Sequence, residues 1–297
     1  MAKLAPPLPV VSEVRLLESL SYLERRTGIR RRMPGQYPRF FYKFRSADLK
    51  DENARLARLR SFFVDSHLWL SHHESFNDPF DMKAHIFVGG SREEKEARFK
   101  ALIADHSGAT WKKRREMLRN WMAIPPSEAE AKLAVVFREL AGSTGICSFG
   151  GDPRSILMWT HYAQNHEGYC LQFEFAQDPR TFGWAQEVQY EDQYPQLNFV
   201  DRSKLPDELY IVFTRKHSGW SYEKEWRLIH RDGANSLLLF RPESLVGIVF
   251  GCRAPAALFS IVKAVLAERE KAGLPRVRMY RAEQDSRAYR LRIWRAT

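Results

Sequence analysis

The stretch Phe40-Phe41-Tyr42-Lys43-Phe44-Arg45, continued by Leu49 to Phe63 and then by His67-Leu68-Trp69-Leu70-Ser71, decides the fold class. Its first part is short and aromatic and reads as a strand, its second has the apolar spacing of a helix, and its third is strand-like again. Further strands are expected at Gly145 to Phe149, Tyr169 to Phe175, Glu223 to Ile229, Leu237 to Phe240 and Val246 to Phe250. A short helix is expected at Ser155 to Tyr162, capped by Ser155, and a longer one at Pro255 to Lys271. These elements mix without a regular βαβ rhythm. The expected architecture is therefore α+β, around a mixed or mostly antiparallel sheet.

Around this core lie two additions. Residues 1–38 read as an amino-terminal extension, with a Pro-rich start, a helix from Val11 to Leu23 and a basic loop ending at Pro34-Gly35. Residues 39–297 then form one core domain, interrupted at about 91–142 by helical segments broken near Gly108 and at Pro125-Pro126.

Composition narrows the class. With 297 residues, 44% of them hydrophobic, the chain can bury one sizeable core. No window approaches the apolar length of a membrane span, and the first residues lack the apolar run of a signal peptide, so a cytoplasmic protein with no membrane partner is expected. Cys147, Cys170 and Cys252 sit in apolar segments without CxxC spacing, which predicts buried thiols rather than a thiolate metal site. The net charge of +11 and a pI near 9.6 suit a polyanionic partner, a nucleotide or nucleic acid. Near the carboxyl terminus, Arg276, Arg278, Arg290 and Arg292 alternate with apolar residues. On two paired strands, that alternation would align four guanidinium groups on one phosphate-binding face.

Three constellations can carry chemistry. Phe76-Asn77-Asp78-Pro79-Phe80 fixes two short polar side chains between aromatic rings, either as a structural turn or as a pocket wall. In Met158 to Gly168, His161 and His166 stand with Trp159 and Tyr162 at a helix end closed by glycine. The imidazoles can shuttle protons and the aromatic rings can stack on a base, or the group is core and cap. No HxxxH or HExxH spacing is present, and no metal is predicted. In Trp220 to Ile229, Trp226 and Leu228 would face the core while Glu223, Glu225 and Arg227 share the other face of the strand.

Read in order, Tyr42-Lys43-Phe44-Arg45, Leu68-Trp69-Leu70-Ser71, Ser75 to Phe80, Met158 to Tyr162, His166-Glu167-Gly168 and Trp220 to Leu228 resemble the bacterial domain-of-unknown-function family 2971. The resemblance runs from about Phe40 to Ile293 and implies no established activity. A looser similarity, to ADP-ribosyltransferases, rests on an arginine on an early strand, a serine ending the next and a late Glu-x-Glu. It implies that Arg45 holds a dinucleotide, Ser71 buttresses the pocket and Glu225 stabilises the oxocarbenium ion formed when NAD, the implied substrate, loses nicotinamide. His161 joins Arg45 and Glu225 as a catalytic candidate. Tyr42, Lys43, Trp69, Ser71, Phe76, Asn77, Asp78, Trp159, Tyr162, His166, Glu223 and Arg227 are candidates for holding the substrate. Two other functions fit the same residues. One is a metal-assisted nucleic-acid hydrolase using Asp78, Glu225 and His161. The other is a non-catalytic nucleotide or nucleic-acid sensor.

Overall fold

A computed structural model describes residues 17–32, 37–47, 51–104, 108–201 and 210–296. They fall into two units, the first made of residues up to His72, Gly145–Val188 and Gly219 onward, the second of His73–Thr144 and Gln189–Ser218.

The first unit is built on a mixed five-stranded sheet in the order β1-β5-β12-β13-β14. Its strands are β1 (Phe40–Arg45), β5 (Tyr169–Glu174), β12 (Leu245–Phe250), β13 (Arg278–Gln284) and β14 (Leu291–Arg295). All neighbours are antiparallel except β12 and β13, which run parallel. A parallel pair needs a crossover, and the helix Ala256–Lys271 supplies it, burying Leu258, Val262, Val265 and Leu266 at helical spacing. A second sheet, β4-β10-β6, is antiparallel and comprises β4 (Gly145–Phe149), β10 (Trp226–His230) and β6 (Ala185–Glu187). Aromatic rings join the two sheets: Phe41 of β1 stacks on Phe182 at 5.2 Å and meets Trp226 of β10 edge-on at 5.7 Å. The strand β2 (His67–Leu70) pairs with β11 (Ser236–Leu239). Beyond β2, Ser71 forms an isolated bridge with Ile146 of β4.

The second unit is mainly helical. The three segments expected from the proline and glycine breaks form at Arg92–Ala104, Trp111–Ala123 and Pro126–Ser143. Phe99 and Trp121 stack between the first two at 5.1 Å. Two short parallel strand pairs belong to the same unit, β3 (His85–Phe87) with β8 (Gln196–Asn198) and β7 (Gln189–Glu191) with β9 (Arg215–His217).

The architecture is α+β with a mixed sheet, as the sequence predicts, but three local expectations need correction. Residues Tyr22–Arg32 are helical, so the arginines expected in a basic loop lie on a helix. Of the expected helix from Val11 to Leu23, residues 11–16 lie outside the described residues, as do Pro34 and Gly35. The strand expected from Glu223 begins at Trp226, because Ser218–Glu223 is a 3-10 turn and Lys224 adopts φ 46°. Glu223 consequently leaves the strand, while Trp226 and Leu228 face the core as expected. The carboxyl-terminal arginines are the third. Pairing Glu283 with Arg292 and Ala282 with Ile293 puts Arg292 on the sheet face opposite the one shared by Arg278, Tyr280 and Ala282. Arg276 precedes β13 and Arg290 precedes β14, so the four guanidinium groups do not line one strand face.

Candidate functional site

Lys43 and Arg45 lie on the face of β1 that also carries Phe41, opposite Leu171 and Tyr169 of β5. Lys43 Nζ donates to the Ser148 carbonyl at 2.8 Å and sits 5.6 Å from the centre of the Phe149 ring. Burial lowers the pKa of its ammonium; Arg45 acts in the same direction and Glu225 against it. Arg45 lays its guanidinium over Phe62 at 5.7 Å, and its buried Nε has no hydrogen-bond partner among the described residues. Burial pushes the neighbouring Tyr169 hydroxyl up to about 12, with Arg45 partly opposing the shift.

Glu225 and Arg227 stand on one face at the start of β10. Arg227 is fully buried and grips Glu225 with two charge-assisted bonds, Nε to Oε1 at 2.8 Å and Nη2 to Oε2 at 3.0 Å. This geometry holds the carboxylate in a fixed orientation. Arg227, a candidate for touching substrate, is thereby committed to positioning Glu225. The strand β4 is the common support. Ile146 bridges Ser71, Gly150 just beyond the strand bridges Tyr42, Ser148 takes the Lys43 bond, and Phe149 pairs with Trp226 beside Glu225. Arg45, Ser71 and Glu225, distant in sequence, are therefore carried by three strands that each bond to β4 or flank it.

A second group surrounds His161 at the end of the helix Ile156–Tyr162. Its exposed ring has Trp220 at 6.3 Å, Tyr222 at 6.2 Å and Tyr162 at 6.4 Å. The Tyr162 hydroxyl donates to Glu223 Oε1 at 2.6 Å, which satisfies a carboxylate that is otherwise deeply buried. Tyr42 points to this side of β1, away from Lys43; burial raises its pKa, and its hydroxyl accepts from Gln172 at 3.4 Å. Trp159 is fully buried, with its indole N–H on the Pro153 carbonyl at 2.8 Å and its ring edge-on to Phe44 and stacked on His166. It therefore offers no open face to a base.

His166 forms a third group. Gln164, Asn165 and His166 have φ of 50°, 50° and 70°, so the left-handed positions expected of glycine fall on three side-chain-bearing residues. Gly168 serves a different need: a Cβ there would lie 2.1 Å from the Arg45 carbonyl. The His166 carbonyl accepts the Arg253 amide at 3.1 Å, and a Cβ on Gly251 would come within 2.0 Å of it, so the turn is closely packed on β12's end. Burial first, and Arg253 second, lower the imidazole pKa. Its Nε2 faces Thr160 at 3.4 Å, and its buried Nδ1 has no partner among the described residues.

The other candidates are placed as follows. Trp69 is exposed on β2, paired with exposed Leu237. Phe76, Asn77 and Asp78 belong to the second unit, where buried Asp78 accepts the Phe80 amide at 2.8 Å, the signature of a side-chain-stabilised turn. Arg276 faces Glu270 at 3.7 Å. Arg290 and Arg292 both bind Asp285 through Nε, at 2.7 and 2.6 Å, and their charges together with the Arg287 amide lower the Asp285 pKa. Sequence reasoning passed over Asp285, Trp220 and Tyr222. The acid within a basic segment and the aromatic pair before Glu223 were the signals available. Among the described residues, no three His, Cys, Asp or Glu side chains gather so as to hold a metal ion, and no helix is long and apolar enough to cross a membrane.

Fold and site together define an α+β protein in which a fully buried arginine clamps a buried carboxylate, with Lys43 in electrostatic reach of it. Residues 158–228 match the family model described as "Protein of unknown function (DUF2971)". The matched segment contains His161, His166, Glu223, Glu225 and Arg227. No curated protein and no solved structure gives a significant match.

Proposed function

We propose that the protein binds a phosphate-bearing dinucleotide and cleaves its glycosidic bond, acting on NAD in the manner of an ADP-ribosyltransferase. One observation supports this reading above the others: Arg227 clamps the Glu225 carboxylate, Lys43 interacts electrostatically with both Glu225 and Arg45, and a buried Arg45 nitrogen still has a bond to give. A pyrophosphate supplies the missing negative charge and acceptors. Glu225 then faces the nicotinamide ribose, where a fixed carboxylate favours the positive charge that develops on the sugar. The bond from the ribose anomeric carbon to nicotinamide breaks, and nicotinamide leaves with the electron pair. The oxocarbenium carbon bonds to an acceptor oxygen or nitrogen, whose proton passes to solvent.

A second reading, binding without bond breaking, draws support from the same clamp, since both Glu225 oxygens already accept from Arg227. Calorimetry with NAD and a nicotinamide-release assay separate the two. Under the transferase reading, Arg45→Ala loses NAD binding and Glu225→Gln loses nicotinamide release while binding persists. Wild-type binding without release favours the sensor, and no wild-type binding removes NAD from consideration.

A further inference from the structure

Between the helix Ile156–Tyr162 and its His166 turn on one side, and the β13–β14 hairpin loop on the other, lies a cleft of about 520 Å³. It is lined by Ile156, His166 and the loop from Gln284 to Leu291. This volume falls in the range of small-ligand sites. Its lining has three features that go together. Burial favours a neutral His166, whose side of the cleft therefore adds no positive charge of its own. Arg287 and Arg290 are exposed at the loop, and Arg290 commits its Nε to Asp285. Tyr289 is fully exposed at the tip, an aromatic ring without packing of its own.

Asp285 does not spoil the site for an anion. Its carboxylate accepts from the Arg287 amide and from two arginine side chains, so the loop with Arg287, Arg290 and Arg292 retains an excess of positive charge. The same bonds fix the loop and spread the guanidinium groups around one anchor. Across the cleft, the three consecutive left-handed residues ending at His166 hold strained backbone, which proteins keep where a side chain must be aimed.

We propose that this cleft is a binding site for single-stranded nucleic acid. One nucleotide enters the cleft with its base on the His166 side and its phosphate on Arg287 and Arg290, and the next base stacks on Tyr289. A strand is favoured over a free mononucleotide because Tyr289, at the rim of the cleft, is fully exposed and leaves its ring open to a second base. The proposal is independent of the Glu225 chemistry and survives if NAD is not a substrate.

The test is fluorescence anisotropy with a labelled oligothymidylate and a labelled oligouridylate at low salt, on the full chain and on Tyr289→Ala, Arg287→Ala and, as a control in a separate basic cluster, Lys112→Ala. Tyr289 and Arg287 are exposed, so neither change threatens folding. The expected result is a loss of affinity of about tenfold in each of the first two, none in the control, and a shift of the His166 imidazole nitrogen resonances on binding. Equal losses in all three variants would mean generic charge attraction and overturn the proposal. An affinity for AMP equal to that for the oligonucleotide would overturn the strand in favour of a free nucleotide. Undetectable binding, or binding untouched by Tyr289→Ala, would dismiss the site.

Discussion

Arg269 is a fully buried residue near the end of the helix Ala256–Lys271, and replacing it with methionine should destabilise the first unit strongly. Its guanidinium donates to three carbonyls, Pro275 and Phe63 and Pro242, each at 2.6 Å. These carbonyls belong to the chain entering β13, to the end of the helix Glu52–Phe63 and to the turn before β12, so one side chain ties three segments together. Burial lowers its pKa, with Glu243 opposing, which marks a cation held largely by neutral dipoles. Losing it strips three buried acceptors of partners, each costing roughly 1 to 3 kcal/mol, while the relief of desolvating one charge offsets part of that sum. A net loss of about 3 to 5 kcal/mol results, which for a domain of this size lowers Tm by roughly 10 °C. Thermal denaturation followed by circular dichroism, with urea melts for the free energy, measures it. Arg269→Lys, with one point charge, should recover only a minor part. A loss under about 1 kcal/mol in Arg269→Met, or full recovery in Arg269→Lys, would refute the reasoning that the three carbonyls depend on the planar fork.

Two further outcomes follow from the site. Gly168→Ala places a Cβ 2.1 Å from the Arg45 carbonyl, so about 3 kcal/mol of stability should be lost together with NAD binding; a variant as stable as wild type in urea contradicts that packing. Lys43 has its pKa lowered in the folded protein, so the unfolded chain binds the proton more tightly and stability rises with pH from the lowered value up to about 10.5, the ordinary lysine value. In Lys43→Met that part of the slope should vanish, which urea melts over a series of alkaline pH values will show or disprove.

The core strands were legible because their apolar residues run nearly unbroken over segments too short for helices. The three helices between residues 92 and 143 were legible because proline and glycine separate them. The faces of the site were harder to read. Nothing in Tyr222-Glu223-Lys224-Glu225 signals that Lys224 takes a positive φ, since no glycine or asparagine marks it, so Glu223 was placed on a strand it leaves. The register of β13 against β14 depends on the length and fixing of the loop around Asp285, a three-dimensional property that alternation alone does not encode. The aromatic density of Met158 to His166 did indicate a special segment. Which rings were buried, as Trp159 is, and which exposed, as His161 is, depended on packing against Phe44 and Pro153 from elsewhere in the chain.

The Ser71–Ile146 bridge has a consequence for how the gene could be cut. Because these two residues hydrogen-bond to each other across the departure and return of residues 73–144, the ends left by excising that segment already lie side by side within the first unit. A tight turn of a few residues could rejoin them as a hairpin. The second excursion, residues 189–218, leaves from Val188, whose amide donates to the Glu225 carbonyl at 2.9 Å, six residues beyond the point of return. A minimal gene would therefore need two splices rather than one, the first closing a gap that the sheet has already bridged.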